Sequence, residues 1–450
     1  MSTTPSGDAT VVDPQIAGAY ATGTGITSMQ RKVLLGGSVG QFIEFYDFSL
    51  YAISAVTLAH LFFPAESETA ALLALFAAYG VSFFVRPLGG LYFGSLGDRI
   101  GRRNVLFITL VLIGGATALI GLLPPYESIG IWATVLLVFL RLLQGFSAGG
   151  ESVGSPAFVF EHAPVHTRGL YINLTLAATA LPSVVAATFV LILKTTMSEE
   201  AFLSYGWRIP FIVALPLALF GIWIRLKTDE SPVFKELEAA KKLEVSQSTS
   251  VKDAFAQNWH KMLQVVFVMG LTAMGFYFLS GYFITYVQTT GGLSGTQSLA
   301  LNAVAMTAYT ILLPLWGIVG DKVGRRPMII IGALAIFVAA IPAFLLVTSG
   351  NVMLALAGQL LFVLAITCYG GGCYTFFIEV FDTRTRFTSA AFSYNLGYAI
   401  FGGTAPFIGT AIVGSTGVAY APAFYVMAIA VVTLLVVFGT KVPETRGWLD

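Results

Sequence analysis

Charge is scarce in this 450-residue chain: only 10% of its residues are Asp, Glu, Lys or Arg, against about a quarter in a soluble domain. Water is therefore not its main solvent. The net charge is +1, and no continuous basic stripe exists, which argues against a nucleic-acid partner. Cysteine is nearly missing as well. Cys368 and Cys373 share one apolar stretch without companion His or Cys at metal-site spacing, so neither a disulfide framework nor a metal or redox centre is implied, and no cofactor is expected. Small polarizable side chains in a Gly-rich helix read as packing residues. Residues 1–30 lack the apolar core and small-residue cleavage site of a signal peptide and read as a disordered tail.

What the chain has instead is apolar sequence, 56% of it. Crossing a hydrocarbon core as helix takes about 20 residues. Stretches of that kind lie near 33–60, 70–95, 104–123, 131–159, 170–193, 208–225, 262–287, 297–319, 327–347, 352–378, 388–413 and 421–440. The expected fold is an all-α membrane protein of twelve transmembrane helices in two pseudo-symmetric six-helix bundles. Its parts are a tail over 1–30, a first bundle over 31–226, a linker over 227–260, a second bundle over 261–441 and a tail over 442–450. A repeated segment supports the duplication. Gly94-Ser-Leu-Gly-Asp98-Arg99-Ile-Gly101-Arg102-Arg103 recurs as Gly317-Ile-Val-Gly-Asp321-Lys322-Val-Gly324-Arg325-Arg326, each copy between long apolar stretches. Internal repeats at matching places in two hydropathic halves are a transporter signature.

Lys and Arg fix the orientation. The loops expected outside hold Lys194 and Arg208, whereas Arg31, Lys32, Arg99, Arg102, Arg103, Lys322, Arg325, Arg326 and the linker's basic residues fall on the other side. Short cytoplasmic loops collect such residues, so both termini are expected in the cytoplasm of a cell membrane, inner or plasma. In the linker, Ser231-Pro232 can start a short helix, and Phe234, Leu237 and Leu243 can lie on the membrane.

Ionisable groups at membrane depth are costly and normally mark a transport path. The candidates are Glu44 and Asp47 in span one, Arg86 in span two, and Arg141 and Glu151 in span four; spans seven to twelve carry none. Counting rise along the helices, Glu44 and Arg86 both sit ~18 Å from the inner boundary and can meet. Asp47 lies one turn further out and has Arg141 as its natural partner, while Glu151 is ~15 Å nearer the cytoplasm. Three carboxylates against two guanidiniums leave one negative charge, which one proton neutralises. An anionic ligand that takes an Arg from its carboxylate makes that carboxylate easier to protonate, which is a coupling mechanism. The competing reading is a set of static pairs that lock helices together. Gly145-Phe-Ser147-Ala-Gly149 fits the hydrolase nucleophile elbow in letters only, because it lies within a membrane helix and not between strand and helix; no enzyme activity is expected.

These residues resemble the major facilitator superfamily. The repeated Gly-Asp loop and Arg141-Leu-Leu-Gln-Gly145 carry the likeness. Gly40-Gln-Phe-Ile-Glu44-Phe-Tyr-Asp47-Phe, Phe84-Val-Arg86-Pro87, Gln144-Gly-Phe-Ser-Ala-Gly-Gly150-Glu151, Gly206-Trp207-Arg208-Ile-Pro210 and Glu230-Ser-Pro232 are similar to its metabolite:proton symporters, a branch that carries proline and betaine, α-ketoglutarate, citrate and shikimate. The resemblance implies alternating access, protons as co-substrate and a cytoplasmic gate of Asp98, Arg99, Arg102, Asp321, Lys322 and Arg325. Companion pairs Glu161 with Arg168 and Glu379 with Arg384 are expected beside that gate.

The uncharged second half departs from the family's carboxylate-rich cavities, so neutral groups must serve there. Candidates are Tyr282, Tyr286, Asn302, Gln359, Tyr374 and Asn395, with Tyr277, Tyr369, Tyr394 and Tyr398; Gln41, Tyr46, Tyr51 and Tyr79 are their first-half counterparts. Arg86 and Arg141 would bind a solute carboxylate, and Glu44, Asp47 and Glu151 would handle the proton. Arg208 could line an outer vestibule. The expected function is import of a small carboxylate-bearing metabolite, an organic acid or a zwitterion, with protons, by a chain that works as a monomer. An uncoupled facilitator or exporter is the alternative, and a membrane receptor is disfavoured by the lack of a signalling domain. Because the chain stops at Asp450, without the C-terminal coiled coil of some osmolyte carriers, organic acids are slightly favoured.

Overall fold

In hydrocarbon every backbone N–H and C=O must be paired within the chain, so apolar stretches of this length fold as helices. The computed structural model describes residues 28–439 except 66, 101, 150–158, 161, 162, 164, 228–250 and 382–385, and contains no strand among them. Over 28–40, 97–100, 102–104, 224–227, 251–254 and a few other helical positions only the backbone is described. Nine helices among the described residues are long and apolar enough to cross a bilayer, or eleven if each of two bent pairs is one span. The shorter apolar helix Phe107–Leu122 falls where span three is expected.

Two spans differ in shape from the expectation. Span one is not continuous: Gln41–Ile53 and Ala55–Phe62 meet at 67°. The turn at Ser54 brings Phe62 edge to face with Trp207, 5.8 Å between centroids, and lets Thr134 Oγ1 donate to the Phe62 carbonyl. Span six begins earlier than 208, as Glu199–Gly206 bent by 41° against Arg208–Trp223, with a π-helical turn over Phe202–Gly206. Two further π turns, Phe278–Tyr282 and Tyr398–Gly403, interrupt spans seven and eleven. Such turns widen the helix by one residue and recur at functional sites.

Helix ends follow local chemistry. Ser294 and Gln297 form a reciprocal capping box at the start of Gly295–Val323, and the Asn351 side chain accepts from the N–H groups of Met353 and Leu354. Gly324, in the second copy of the repeat, has φ +100°. That backbone favours glycine and turns the chain between two spans within one residue.

Glycine also sets the spacing that positions the charges. A Cβ at Gly89, Gly145 or Gly149 would run into the backbone carbonyls of Phe146, Ser82 and Arg86 respectively, so spans two and four touch backbone to backbone. Ser147 Oγ donates to the Leu143 carbonyl at 2.9 Å inside the helix Ile131–Ala148, which is packing and not a nucleophile elbow. Span seven has 89% of its apolar window buried and so runs through the middle of the molecule. Large apolar side chains elsewhere, such as Val338, Leu435 and Trp132, face outward as a lipid-facing surface requires.

The halves touch at both ends. At the end carrying the repeat loops, Asp321 accepts from the N–H groups of Gly169 and Leu170 at 2.8 and 3.0 Å. Towards the opposite end, Ser183 Oγ donates to the Ser280 carbonyl at 3.3 Å, and a Cβ on Gly281 would meet Ala52. Between these contacts the charged groups are sealed from solvent.

Candidate functional site

Four charged side chains gather where spans one, two and four meet, and none is more than 1% exposed. Arg86 Nη2 donates to Glu44 Oε1 at 2.8 Å, and Arg141 Nη1 to Asp47 Oδ2 at 3.2 Å. Helix counting from the sequence had placed Glu44 and Arg86 at one depth and named Arg141 as the natural partner of Asp47.

The two pairs are finished differently. Asp47 Oδ1 also accepts from Thr117 Oγ1 at 2.7 Å and from Gln144 Nε2. Gln144 Oε1 in turn accepts from Arg141 Nη1 at 2.9 Å, and Arg141 Nη2 reaches Ser82 Oγ at 3.4 Å. Asp47 and Arg141 thus sit inside a polar network that leaves only Arg141 Nε unpartnered among the described residues and holds its members to one geometry. Arg86 keeps Nε and Nη1 without a hydrogen-bond partner among the described residues. Leaving a buried donor unmade costs about 1–3 kcal/mol, and more on a charged group. Both guanidiniums lie over aromatic rings: Arg86 Cζ is 4.3 Å from the Phe48 centroid and 4.7 Å from that of Phe83, and Arg141 Cζ is 4.3 Å from that of Tyr51. Those faces partly offset the loss of water around the cations.

The neutral first-half candidates frame this centre. Tyr51 stacks on Tyr79 with centroids 5.8 Å apart and donates to the Leu75 carbonyl at 3.3 Å. Tyr46 donates to the Pro210 carbonyl at 3.0 Å, so its hydroxyl ties span one to span six. Gln41 is buried with Nε2 unpartnered among the described residues.

Second-half candidates separate into two groups. Tyr277 packs edge to face on Tyr79 and Phe83, at 6.0 and 5.0 Å between centroids, and adjoins Tyr398 at 6.1 Å. Tyr394 stacks on Tyr398 at 4.1 Å, while the Tyr309 and Tyr374 hydroxyls bond each other at 3.0 Å and Thr272 reaches Tyr374 at 3.1 Å. The other group binds within its own half. Tyr282 stacks on Tyr286, whose hydroxyl donates to the Ala419 carbonyl. Asn302 Nδ2 donates to the Leu279 carbonyl at 2.5 Å, Asn395 Nδ2 to that of Ala391 at 3.0 Å, and Tyr369 to that of Val268 at 2.8 Å. Gln359 is 1% exposed and makes no hydrogen bond among the described residues.

At the loop end, Arg325 joins Asp321 at 2.8 Å and Glu379 at 3.3 Å, and Lys322 is exposed. Arg168 lies over the Phe160 ring, 4.3 Å from its centroid. Glu151, Glu161 and Arg384, and the side chains of Asp98, Arg99 and Arg102, lie outside the described residues. Arg208 donates to the Gly121 and Leu123 carbonyls at 3.0 and 2.6 Å, closing the free C-terminal end of span three as a cation does well. Thr117, Gln144, Ser82, Phe48, Phe83 and Tyr309 were not singled out by sequence. Gln144 alone carried a signal, three residues from Arg141 on one helix face.

An all-helical membrane bundle with paired charges sealed at its centre defines a class, the major facilitator transporters, and the fold comparison agrees. A D-xylose–proton symporter superposes with TM-score 0.73 at 21% identity, covering 92% of this chain and 98% of that one. A partially occluded inward-open xylose transporter XylE from E. coli gives 0.72 at 20%, covering 93% and 99%. The chain belongs to the sugar (and other) transporter family, whose profile matches residues 33–448, and it is a transporter and not an enzyme. It is similar to the proline/betaine transporter of Salmonella typhimurium strain LT2, 34% identical over 93% of this chain and 84% of that one. The ectoine/proline transporter ProP of Corynebacterium glutamicum is also 34% identical, over 90% and 83%.

Proposed function

We propose that this transporter imports a small zwitterion of the proline or betaine kind together with protons, by alternating access of the halves 31–226 and 261–441, with both termini cytoplasmic. The observation that carries the reading is Arg86, fully buried, bonded through Nη2 to Glu44 and left with two donors unmade. A solute carboxylate can take Nη1 or Nε and, by sharing Nη2 with Glu44, complete a bidentate fork. It then competes with Glu44 for one guanidinium, and a weakened claim on Arg86 favours the protonated form of Glu44. Solute and proton thereby enter together, and because the zwitterion is neutral each proton carries one positive charge inward. The names of the similar carriers favour the zwitterion over the organic acids that the chain end had suggested.

Asp47, already met by Arg141, Thr117 and Gln144, acts in this reading as the fixed part of the site. The contact of Asp321 with the start of Arg168–Ala177, braced by Arg325 and Glu379, acts as the cytoplasmic gate. A carboxylate at a helix N-terminus is favoured by the dipole and by the free N–H groups there. Such a latch must be weak enough to open, with states a few kcal/mol apart.

Glu44→Gln in proteoliposomes tests the coupling. Solute counterflow should persist while accumulation driven by an inward proton gradient is lost. Downhill equilibration by the wild-type chain, untouched by an uncoupler, would instead establish the uncoupled facilitator.

A further inference from the structure

The second half has no charged side chain at the depth of Arg86, yet it sets aromatic rings there. Tyr277, Tyr394 and Tyr398 come from spans seven and eleven, each at most 3% exposed. Tyr277 meets Tyr79 and Phe83 of the first half across the seam at 6.0 and 5.0 Å, and behind it Tyr398 adjoins Tyr277 at 6.1 Å and stacks on Tyr394 at 4.1 Å. The Tyr277 hydroxyl makes no hydrogen bond among the described residues. Arg86 lies within electrostatic reach of Tyr79, Tyr277 and Tyr394. A guanidinium with free donors therefore stands beside a set of rings, on opposite sides of a seam that opens when the halves move apart.

We infer that Tyr277, Tyr394 and Tyr398, with Tyr79 and Phe83 facing them, form the ammonium half of the solute site and select N-methylated cations. The inference rests on the zwitterion reading above and deepens it. A trimethylammonium group has no N–H to donate, so a carboxylate alone does not distinguish it from other cations by hydrogen bonding. Ring faces carry the negative side of a quadrupole and attract such a cation without needing a proton from it. Edge-to-face contacts between rings are individually weak, so an entering cation can replace them. The chemistry also divides by half: the carboxylate goes to the first and the ammonium to the second, so one solute bridges the seam and draws both halves together around it.

The test uses the full chain in proteoliposomes, with labelled proline counterflow as readout and two competitors of one shape. Glycine betaine carries the cation, and 3,3-dimethylbutanoate replaces its nitrogen by carbon. In the wild type the half-inhibiting concentration of betaine should be lower by about thirtyfold, the size of a desolvated cation–π contact. Tyr277→Leu and Tyr398→Leu should bring that ratio close to one, whereas Tyr277→Phe and Tyr398→Phe, which keep the ring, should preserve it. A wild-type ratio near one overturns the inference without any variant, as does a Leu variant that folds and leaves the ratio unchanged. Wild-type chain with no counterflow of proline or betaine at all would sink the zwitterion reading and this site with it.

Discussion

The two halves of the chain share a loop motif and differ in their interiors. The first half buries Glu44, Asp47, Arg86 and Arg141 in contact with one another; the second half, at its centre, places tyrosine rings and hydroxyls. Among the described residues, only at the loop end does the second half bring charges together, as Asp321, Arg325 and Glu379. The loop motif is shared, whereas the buried ion pairs at membrane depth are concentrated in the first half. A buried charge is costly unless paired, so gathering four in one place lets each offset the desolvation of the next.

The sharpest way to break the comparison is to remove one of those partners. Arg86→Gln leaves Glu44 buried without its guanidinium, and losing one partner of a buried pair costs about 3–5 kcal/mol. Thermal unfolding in detergent should drop by several degrees and uptake should vanish. Adding Glu44→Gln to the same chain should restore most of the melting temperature and none of the uptake. If the single variant melts as the wild type does, the first-half charges are not the interdependent set described here.

A smaller effect is expected where the second half bears charge. Asp321→Asn weakens two hydrogen bonds to the N–H groups of Gly169 and Leu170 and the ion pair to Arg325. Hydrogen bonds to charged groups contribute about 1.5–3 kcal/mol, enough to shift a balanced two-state gate by more than tenfold. A cysteine at Asn173, which faces Gly317 across the halves, should then react faster with a water-soluble maleimide. Unchanged labelling would mean that Asp321 caps a helix without holding the halves.

How much of this was legible depended on cost. Charged side chains announce themselves in an apolar run, and helix rise matched Glu44 with Arg86, leaving Arg141 as the natural partner of Asp47. Thr117 and Gln144, which complete the Asp47 network, are ordinary in a membrane helix and left little trace. The break at Ser54 has no Pro or Gly within it, and nothing in Tyr51-Ala52-Ile53-Ser54-Ala55 marks a 67° turn. Neutral second-half candidates were the least legible. Tyr277 and Tyr282 lie in the same span, five residues apart, and only the structure separates the ring at the seam from the one stacked on Tyr286.

Gln359 carries the mildest prediction, and it sharpens the comparison from the other side. Its amide sits inside the second half with neither nitrogen nor oxygen bonded among the described residues. Three positions on, Phe362 packs against Phe283 and Phe344, so the surroundings are aromatic and dry. Replacing a buried polar group that lacks partners by an apolar one of similar shape is neutral to stabilising, because the desolvation cost disappears with the group. Gln359→Met should therefore raise the melting temperature slightly, by the equivalent of about 1 kcal/mol, and leave gradient-driven uptake as it was. A rise in stability with intact uptake would make the second half an aromatic scaffold that tolerates neutral exchange away from the seam. A loss of uptake despite a stable fold would return Gln359 to the solute path and extend the site well beyond the tyrosines that face Arg86.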